Sequence, residues 1–283
     1  MNLVVLSIVI LGGLGVISAI VLYITSKRFF VKENPKIAEI EELLPGANCG
    51  GCGCNGCHDF AVKCANSDSL DGLRCPSCDD TVMGKIAEIA GAIKPSSAMP
   101  KIAVLHCNGS CENRPIKSYY DGVKSCRIQH SLFLGARGCA YGCLGCGDCV
   151  SACKFDAIKI DTTQGIAVID EEKCVGCGAC VAMCPRNLIE LRNKGPRGMR
   201  VYVACANKDK GALAMKECGV SCIGCSKCFK ECQHEAIIIE DNLARIDYEK
   251  CKLCKKCVAV CPRNSIHAVN FPQKRVIDVV ESK

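Results

Sequence analysis

Four cysteine runs of the same form, C-x2-C-x2-C-x3-C, occur between residues 143 and 261. They begin at Cys143, Cys174, Cys222 and Cys251, and the second and fourth each end in a Cys-Pro pair. Thiols at such short spacing are typical of metal sites in a reducing compartment. The chain must therefore fold so that these thiols converge on metal, and this requirement constrains its structure more than any apolar pattern does.

The composition agrees with metal sites in place of one large apolar core. The chain has 283 residues, of which 29 are Cys, seven are Phe, six are Tyr and none is Trp. Secreted disulfide scaffolds are also rich in cysteine, but they are short chains with even cysteine counts. The length, the odd count and the tight spacing favour metal–thiolate sites over disulfides.

Each run resembles the cysteine run of bacterial two-cluster ferredoxins, in which the fourth cysteine ligates the other cluster of the pair. A tetrahedral zinc site is the alternative, but zinc usually takes two separated C-x2-C pairs. Lys154 and Gln233 stand where proline is common in the first run of each domain, a departure that leaves the ligands intact. The resemblance implies four [4Fe–4S] ligand sets: Cys143, Cys146, Cys149 with Cys184; Cys174, Cys177, Cys180 with Cys153; Cys222, Cys225, Cys228 with Cys261; and Cys251, Cys254, Cys257 with Cys232.

The two pairs of runs form an internal repeat. One constant shift along the chain maps the first run on the third, and the same shift maps Cys126 on Cys205 and Cys139 on Cys218. A slightly shorter shift maps the second run on the fourth. Each copy also has two short strand-like segments, at 157–160 and 166–169 and at 236–239 and 243–246. The repeat predicts two tandem ferredoxin-like domains.

The segment from Leu3 to Ile24 carries no charge and is long enough to cross a bilayer as a helix. The basic residues Lys27, Arg28, Lys32 and Lys36 follow it. The positive-inside rule then places the N-terminus outside and the rest of the chain in the cytoplasm, as a single-pass protein of the cell (inner) membrane. A cleaved signal peptide would need a basic start, a shorter apolar stretch and a small-residue cleavage site, so we expect a retained anchor.

A third cysteine-rich segment lies between this anchor and the runs. It reads LPGANCGGCGCNGC, then RCPSC and TVMGKIAEIA. One helix is predicted from Asn34-Pro35 to Pro45-Gly46 and another over 80–92. The segment resembles the four-cysteine iron–sulfur domain of the B subunit of the Rnf electron-transport complex and of corrinoid iron–sulfur proteins. No cobalamin-binding domain follows it, and the order of anchor, four-cysteine domain and paired ferredoxin modules resembles the Rnf B subunit over nearly the whole chain.

The resemblance implies that Cys49, Cys52, Cys57 and Cys75 ligate a fifth [4Fe–4S] cluster, with Cys78 as an alternative to Cys75. Cys54, Cys64 and Cys78 fall outside the family pattern, and free reduced thiols are their simplest interpretation. Cys107, Cys111, Cys126 and Cys139 form a looser set that is a candidate for a sixth cluster. Only Cys126 and Cys139 have counterparts in the second repeat, Cys205 and Cys218, and two thiols alone cannot complete a cubane.

The predicted fold class is α+β: a single N-terminal transmembrane helix, a small helical four-cysteine domain and two tandem two-cluster ferredoxin-like domains. The predicted boundaries are an anchor at 1–26, the four-cysteine domain at 27–93, a cysteine-containing linker at 94–138, ferredoxin-like domain 1 at 139–192, a linker at 193–217, ferredoxin-like domain 2 at 218–270 and a basic tail at 271–283.

The Rnf resemblance implies an electron-transfer subunit that accepts low-potential electrons from reduced ferredoxin and passes them to other subunits. It further implies that ferredoxin:NAD+ electron transfer is coupled to Na+ or H+ translocation. The sequence has no phosphate-binding G-x-G-x-x-G loop and no evident nucleophile–base pair, so we expect neither flavin nor NAD on this chain and no complete active site. The alternatives are a polyferredoxin subunit of another membrane oxidoreductase, such as a hydrogenase, and a thiol-rich metal-storage or zinc protein.

The formal net charge of +7 counts every thiol as neutral. Because a [4Fe–4S] unit with four thiolates carries about −2, five units would bring the balance to about −3. The basic composition is therefore no evidence for nucleic-acid binding. The stretch from Lys250 to Arg275 has seven basic residues and no acidic one. We expect Lys252, Lys255, Lys256 and Arg263 to form a docking surface for an acidic ferredoxin, with a merely solvated basic face as the alternative.

Overall fold

A computed structural model describes residues 3–29, 34–97, 99–133 and 135–272 of the chain. Lys32, Lys274 and Arg275, and all but the first two residues of the predicted basic tail, lie outside these ranges. All 29 cysteines lie inside them, and each is a free thiol there.

The N-terminal helix α1 (Leu3–Arg28) ends in the basic pair Lys27 and Arg28. Its segment from Ser7 to Arg28 is long and apolar enough to cross a membrane, and none of it is buried in the described structure. An apolar helix that served as the core of a soluble domain would be buried, so its exposed surface agrees with the predicted membrane span.

The next unit contains three helices, α2 (Pro35–Glu42), α3 (Cys57–Ala65) and α4 (Asp80–Ala90). The side chain of Asn34 accepts a hydrogen bond from the Lys36 amide at the start of α2, and Asp79 caps α4 in the same way. Gly91 ends α4 in the left-handed conformation, which glycine adopts without a Cβ clash. The helices enclose an apolar core whose most deeply buried members are Ile40, Phe60, Cys64, Leu70, Met83 and Ile86.

Each ferredoxin-like unit is built from two separate antiparallel strand pairs joined by short helices. In the first unit the elements are β1 (Lys101–Leu105), α5 (Cys126–Leu132), α6 (Asp148–Ser151), β2 (Ile158–Asp161), β3 (Ile166–Ile169), α7 (Ala179–Met183) and β4 (Ile189–Asn193). In the second unit they are β5 (Arg200–Val203), α8 (Gly211–Glu217), α9 (Lys227–Glu231), β6 (Ile237–Glu240), β7 (Leu243–Ile246), α10 (Lys256–Ala259) and β8 (Ile266–Val269). The pairs β2–β3 and β6–β7 agree with the strand-like segments expected from the sequence.

The expected linkers are wrong at two places. Strand β1, which lies in the expected linker 94–138, pairs with β4 at the end of the first ferredoxin-like unit. Strand β5, in the expected linker 193–217, pairs with β8 in the second unit. Both segments are therefore integral strands, because each supplies the hydrogen-bonding partner that the last strand of its unit requires.

The strand register defines how the two repeats correspond. Leu105 lies opposite Ile189, and Val203 lies opposite Ile266. Because the shift that relates the second and fourth cysteine runs also maps Ile189 on Ile266, Leu105 and Val203 are structural equivalents. The separation between these two residues is larger than the shift that relates the cysteine runs. The first strand of each unit is thus displaced differently from the cysteine runs, whereas the later strands follow them.

Side-chain contacts join the two ferredoxin-like units directly. The carboxylate of Glu171 in the first unit binds the guanidinium of Arg200 and accepts a 2.6 Å hydrogen bond from Asn270 in the second. Arg192 donates to the carbonyl oxygen of Ile246 at 3.2 Å. The hydrogen bond from Arg200 and the charge of its guanidinium lower the pKa of Glu171, so this carboxylate stays ionised and the contact persists at neutral pH.

Candidate iron–sulfur sites

The structure brings each swapped cysteine to the cavity that the ligand-exchange pattern requires. Three cavities of about 310 to 350 Å³ are each lined by four cysteines, three from one run and one from its partner run. Their linings contain Cys153, Cys174, Cys177 and Cys180; Cys222, Cys225, Cys228 and Cys261; and Cys232, Cys251, Cys254 and Cys257. Four thiols around one cavity are the ligand set that a [4Fe–4S] cluster requires, so these sites fit such a cluster.

The fourth ferredoxin-type cavity, of about 370 Å³, contains a thiol that the sequence pattern missed. It is lined by Cys143, Cys149 and Cys184 together with Cys126. The thiol of Cys146 donates a hydrogen bond to Cys126, which lowers the pKa of Cys126 to about 6 and raises the pKa of Cys146. Five thiols therefore surround this site, and the constant shift between the repeats gave no reason to place Cys126 there.

The cysteine runs follow a backbone path with left-handed residues between the thiols. Gly147, Gly176 and Gly178 have positive φ in the first unit. Their equivalents in the second unit are Ser226, Leu253 and Lys255, which also have positive φ, between 58° and 63°. Because a side chain in this conformation costs about 1–2 kcal/mol, the second unit is more strained around its thiols than the first.

The cysteine loop before α3 is fixed by Asn48. Its Oδ1 atom accepts a 2.7 Å hydrogen bond from the amide of Cys57. Cys75 and Cys78 are hydrogen-bonded to each other, and the bond from Cys78 lowers the pKa of Cys75 to about 6. The same hydrogen bond and burial raise the pKa of Cys78. Cys57 packs against the buried cluster that contains Cys75 and Cys78, so the structure offers both as its partners.

The remaining thiols of this unit differ in their surroundings. Cys54 accepts a hydrogen bond from the ammonium of Lys63 at 3.6 Å and faces Cys52. Cys64 is fully buried in the apolar core, and burial raises its pKa to about 12. A neutral thiol is therefore the stable form of Cys64, in agreement with its interpretation as a free cysteine.

Comparison with known proteins identifies the family. Residues 142–188 match the 4Fe-4S dicluster domain, and residues 244–267 match the 4Fe-4S binding domain. The chain is 41% identical over 267 residues to the B subunit of the Na(+)-translocating ferredoxin:NAD(+) oxidoreductase complex of Acetobacterium woodii, a match that covers 94% of this chain and 78% of that protein. It is 38% identical over 264 residues to the B subunit of the ion-translocating oxidoreductase complex of Methanosarcina acetivorans, covering 92% of this chain and 96% of the relative.

A third relative, the B subunit of the proton-translocating ferredoxin:NAD(+) oxidoreductase complex of Clostridium ljungdahlii, is 36% identical over 95% of this chain and 94% of its own length. The chain belongs to the family of ion-translocating oxidoreductase B subunits. The resemblance to the Rnf B subunit is therefore confirmed, and the family assignment sets aside the hydrogenase and zinc-storage alternatives. An iron–sulfur chemistry of the [4Fe–4S] type and a membrane association agree with the domain matches and with α1.

In this B subunit, the four-cysteine unit packs directly on the first ferredoxin-like unit. A Cβ atom on Gly51 would lie 2.8 Å from both Cα and Cβ of Cys177. Burial raises the pKa of Cys177, and the charge of Cys49 adds to this effect. The thiol sites that contain Cys49 and Cys177 are therefore neighbours, and only glycine at position 51 permits so close an approach.

Gly51→Ala should separate these two sites. The added methyl group meets the backbone of Cys177, so the two units must move apart, with an expected loss of about 1–3 kcal/mol in the free energy of unfolding. The loss is measured by anaerobic denaturant titration, and rapid-freeze EPR should show slower electron transfer across the junction. Gly84→Ala is the matched control, because its Cβ would meet only the flexible end of Lys94. Equal transfer rates in Gly51→Ala and the parent chain would contradict the junction.

The predicted docking residues divide into two groups. Lys252, Lys255 and Lys256 are exposed beside the exposed thiol Cys254. Arg263 is half-buried and donates a 3.1 Å hydrogen bond to the carbonyl oxygen of Cys218. The Arg263 guanidinium is thus held by backbone, while its docking role stays a prediction. Lys227, which lines the cavity of the exposed thiol Cys225 together with Arg263, extends the basic surface.

The looser set expected from the sequence is not brought together as a unit. Cys126 lies beside Cys146, and Cys111 accepts a 2.8 Å hydrogen bond from Arg137. Cys107 and Cys139 instead line a cavity that they share with Cys205 and Cys218 of the second repeat.

Proposed function

We propose that this B subunit is a membrane-anchored relay, which carries single electrons from reduced ferredoxin to other subunits of an ion-translocating ferredoxin:NAD+ oxidoreductase. Its carriers are [4Fe–4S] clusters, five of them on the ligand sets expected from the sequence. Such clusters supply the redox chemistry, while the chain sets their potential through burial, hydrogen bonds to sulfur and nearby charge.

The observation that carries the proposal is the unbroken succession of thiol sites through the fold. Gly51, beside Cys49 and Cys52, lies against Cys177, and Cys149 and Cys180 share one buried cluster. Cys139 of the first ferredoxin-like unit and Cys218 of the second line one cavity, and Cys228 and Cys257 share the buried cluster of the second unit. Neighbouring sites therefore connect the unit next to the anchor with the far end of the second ferredoxin-like unit. A storage protein has no need of such a linear order, whereas electron transfer depends on it.

The direction of flow follows from exposure and from the anchor. Cys225 and Cys254 are exposed, so a soluble donor can approach both cavities of the second unit. The site of Cys49 belongs to the unit that follows α1 in the chain. We infer that electrons enter at the second ferredoxin-like unit and leave near the membrane, with the N-terminus outside and the remaining chain in the cytoplasm. The relatives' names include both Na+ and proton translocation, so the ion stays open.

The test is anaerobic isolation of the full chain, followed by reduction with an excess of reduced ferredoxin. Five cubanes correspond to about 20 Fe and 20 acid-labile sulfides per chain. The clusters should become EPR-visible on reduction by ferredoxin as well as by dithionite. A natively structured chain that contains no iron, or one whose clusters ferredoxin cannot reduce, would overturn the proposal.

Reversing the charge of the docking surface should slow electron entry. In Lys255→Glu/Lys256→Glu we expect oxidation of reduced ferredoxin to slow by roughly 10-fold or more at low ionic strength, because electrostatic steering is lost. The measurement is stopped-flow absorbance at several salt concentrations. Reduction by dithionite should not change, and the equally charged control Lys85→Glu/Lys159→Glu should behave as the parent. Identical salt dependence in both double variants would remove the docking hypothesis.

A further inference from the structure

We propose that Cys107, Cys139, Cys205 and Cys218 hold a sixth [4Fe–4S] cluster, built half by each ferredoxin-like unit at their junction. The cavity that these thiols line has a volume of about 290 Å³, similar to the 310 to 370 Å³ of the four ferredoxin-type cavities. Cys107, Cys139 and Cys218 are buried, and Cys205 is half-buried. The space and the number of thiols thus match those of the other candidate sites.

The two halves of the site are related by the internal repeat. Cys107 follows β1 and Cys205 follows the equivalent strand β5, while Cys139 and Cys218 are related by the same shift as the first and third cysteine runs. The amide of Cys143 donates to the Cys107 sulfur at 3.3 Å, and the amide of Cys222 donates to the Cys205 sulfur at the same distance. Each repeat therefore presents two thiols in the same way. Two thiols cannot complete a cubane, but two such halves supply four.

A buried guanidinium with one unpaired nitrogen among the described residues lines this cavity. Arg114 lines the cavity and is only 2% exposed. Its Nε donates to the Gly109 carbonyl at 2.5 Å and its Nη1 to the Cys143 carbonyl at 2.8 Å. Its buried Nη2 has no hydrogen-bond partner among the described residues. An unpaired buried guanidinium nitrogen is costly, and a cluster with four thiolates, which carries about −2, would provide its missing partner.

Two further arginines hold the ligand-bearing backbone in place. Arg186 donates to the carbonyl oxygen of Cys139 at 3.4 Å, and its repeat equivalent Arg263 donates to that of Cys218 at 3.1 Å. Arg186 and Arg263 each directly follow the Cys-Pro pair that ends a cysteine run. Each arginine therefore holds one junction cysteine, Cys139 or Cys218, next to a ferredoxin-type site. The thiol of Cys139 also accepts a 3.6 Å hydrogen bond from the buried amide of Asn207. Hydrogen bonds of this kind orient metal ligands and tune the metal.

The junction thiols resemble the ferredoxin-type sets in their spacing. Among the described residues, no three Cys, His, Asp or Glu side chains lie close enough together to hold one metal ion. The same is true of the ferredoxin-type sets, whose family match is to 4Fe-4S domains. The junction site shares their geometry in this respect, so it is assigned the same kind of cofactor.

The position of this site gives it a role in the relay, a role that rests on the proposed function. Through the two amide–sulfur bonds it adjoins the site of Cys143 on one side and the site of Cys222 on the other. The cluster would be the step by which an electron passes from the second ferredoxin-like unit to the first.

The test uses the full chain, isolated anaerobically. Parent protein should contain about 24 Fe, and Cys139→Ser/Cys218→Ser about 20, because one cubane is lost. The control Cys111→Ala, which removes a thiol outside the cavity, should keep the parental iron content. In the double variant, ferredoxin should still reduce the clusters of the second unit while reduction of the first unit slows strongly, and dithionite should reduce both. A parent with about 20 Fe, unchanged in the double variant, would overturn the site.

A second variant separates loss of the cluster from loss of the fold. Arg114→Gln removes the buried charge without touching a thiol, so the iron content should stay parental. The midpoint potential of the junction cluster should fall most, since a positive charge near a cluster favours its reduced state, with a smaller fall for the cluster of Cys143, whose carbonyl oxygen Arg114 also contacts. Unchanged potentials for all clusters, or a fall confined to the cluster of Cys143, would contradict the assignment. A parent with six clusters that ferredoxin cannot reduce would refute the proposed function and leave the site intact.

Discussion

Removal of iron from the isolated chain should unfold its units in a fixed order, the second ferredoxin-like unit first, the first unit next and the helical unit last. Metal binding contributes directly to folding wherever the site does not exist in the unfolded chain. Besides cysteines, the described buried clusters of the first ferredoxin-like unit contain Ala103, Ile158, Ala167 and Ile189, with Ile166 and Leu188 beside them. A unit of this size with so small a core is marginal without its metal.

The order follows from two differences between the units. The second unit has Ser226, Leu253 and Lys255 in left-handed conformations where the first has glycine, each costing about 1–2 kcal/mol that iron–thiolate bonds must offset. The four-cysteine unit has a true apolar core around Phe60, Met83 and Ile86, so its helices should outlast the clusters.

Hydrogen exchange read by mass spectrometry, during anaerobic iron chelation, resolves the three units in a single experiment. Strands β6 and β7 should lose protection before β2 and β3, and α4 should keep part of its protection throughout. The control is Leu253→Gly, which relieves one left-handed side chain and should bring unfolding of the second unit closer to that of the first. Simultaneous unfolding of all three units, or a stable iron-free β-structure, would contradict this account.

Replacing Cys57 should stop electron transfer into the membrane subunits almost completely while the clusters farther along the chain are still reduced. Cys57 begins α3, its amide is held by Asn48, and it packs against the buried cluster that contains Cys75 and Cys78. Cys57→Ser should therefore remove the site next to the anchor and leave the ferredoxin-like units intact. Turnover of the assembled complex measures electron transfer into the membrane subunits, and EPR of the reduced chain shows whether the remaining clusters are still reduced.

Cys64→Ala is the matched control, since it removes a buried thiol of the same unit that lies in the apolar core. It should keep both its iron content and its turnover. Normal turnover of the complex with Cys57→Ser would show that electrons leave the chain by another site.

The sequence was most informative where chemistry fixes spacing. The C-x2-C-x2-C-x3-C runs predicted which distant cysteines share a cavity, and the cavities of Cys261, Cys232 and Cys153 agree with that exchange. The strands β2, β3, β6 and β7 were equally evident, because each is a short β-branched segment between two runs. The start of α2 was predicted from Asn34-Pro35 and α4 from the helix expected over 80–92, whereas the Asp79 cap of α4 was not predicted.

The junction site was hidden by an unequal repeat. The interval from Cys107 to Cys139 in the first copy is much longer than the interval from Cys205 to Cys218 in the second. The extra segment of the first copy contains Cys111 and Cys126. The constant shift between the repeats therefore matched Cys126, in place of Cys107, with Cys205. Loops tolerate insertions, so a constant shift does not align the two copies across such a loop. The pairing of β1 with β4 shows that Cys107 is the structural equivalent of Cys205.

The charge pattern predicted a basic surface but not which of its side chains point into solvent. Lys252, Lys255, Lys256 and Arg263 belong to one basic stretch, yet the arginine turns toward the Cys218 carbonyl. A guanidinium can bridge several backbone oxygens in a buried setting, whereas the lysine ammonium groups remain solvated. Sequence alone does not distinguish these two uses of positive charge.

The uneven exposure of the thiols also predicts the order in which dioxygen should damage the thiol sites. Susceptibility of sulfur to oxidants follows its accessibility. Cys225 and Cys254 are exposed, whereas the junction thiols Cys107, Cys139 and Cys218 are buried. Damage by dioxygen should begin at the sites of Cys225 and Cys254 and then reach the buried sites. A partly oxidised molecule would therefore no longer receive electrons while its buried clusters still gave normal spectra.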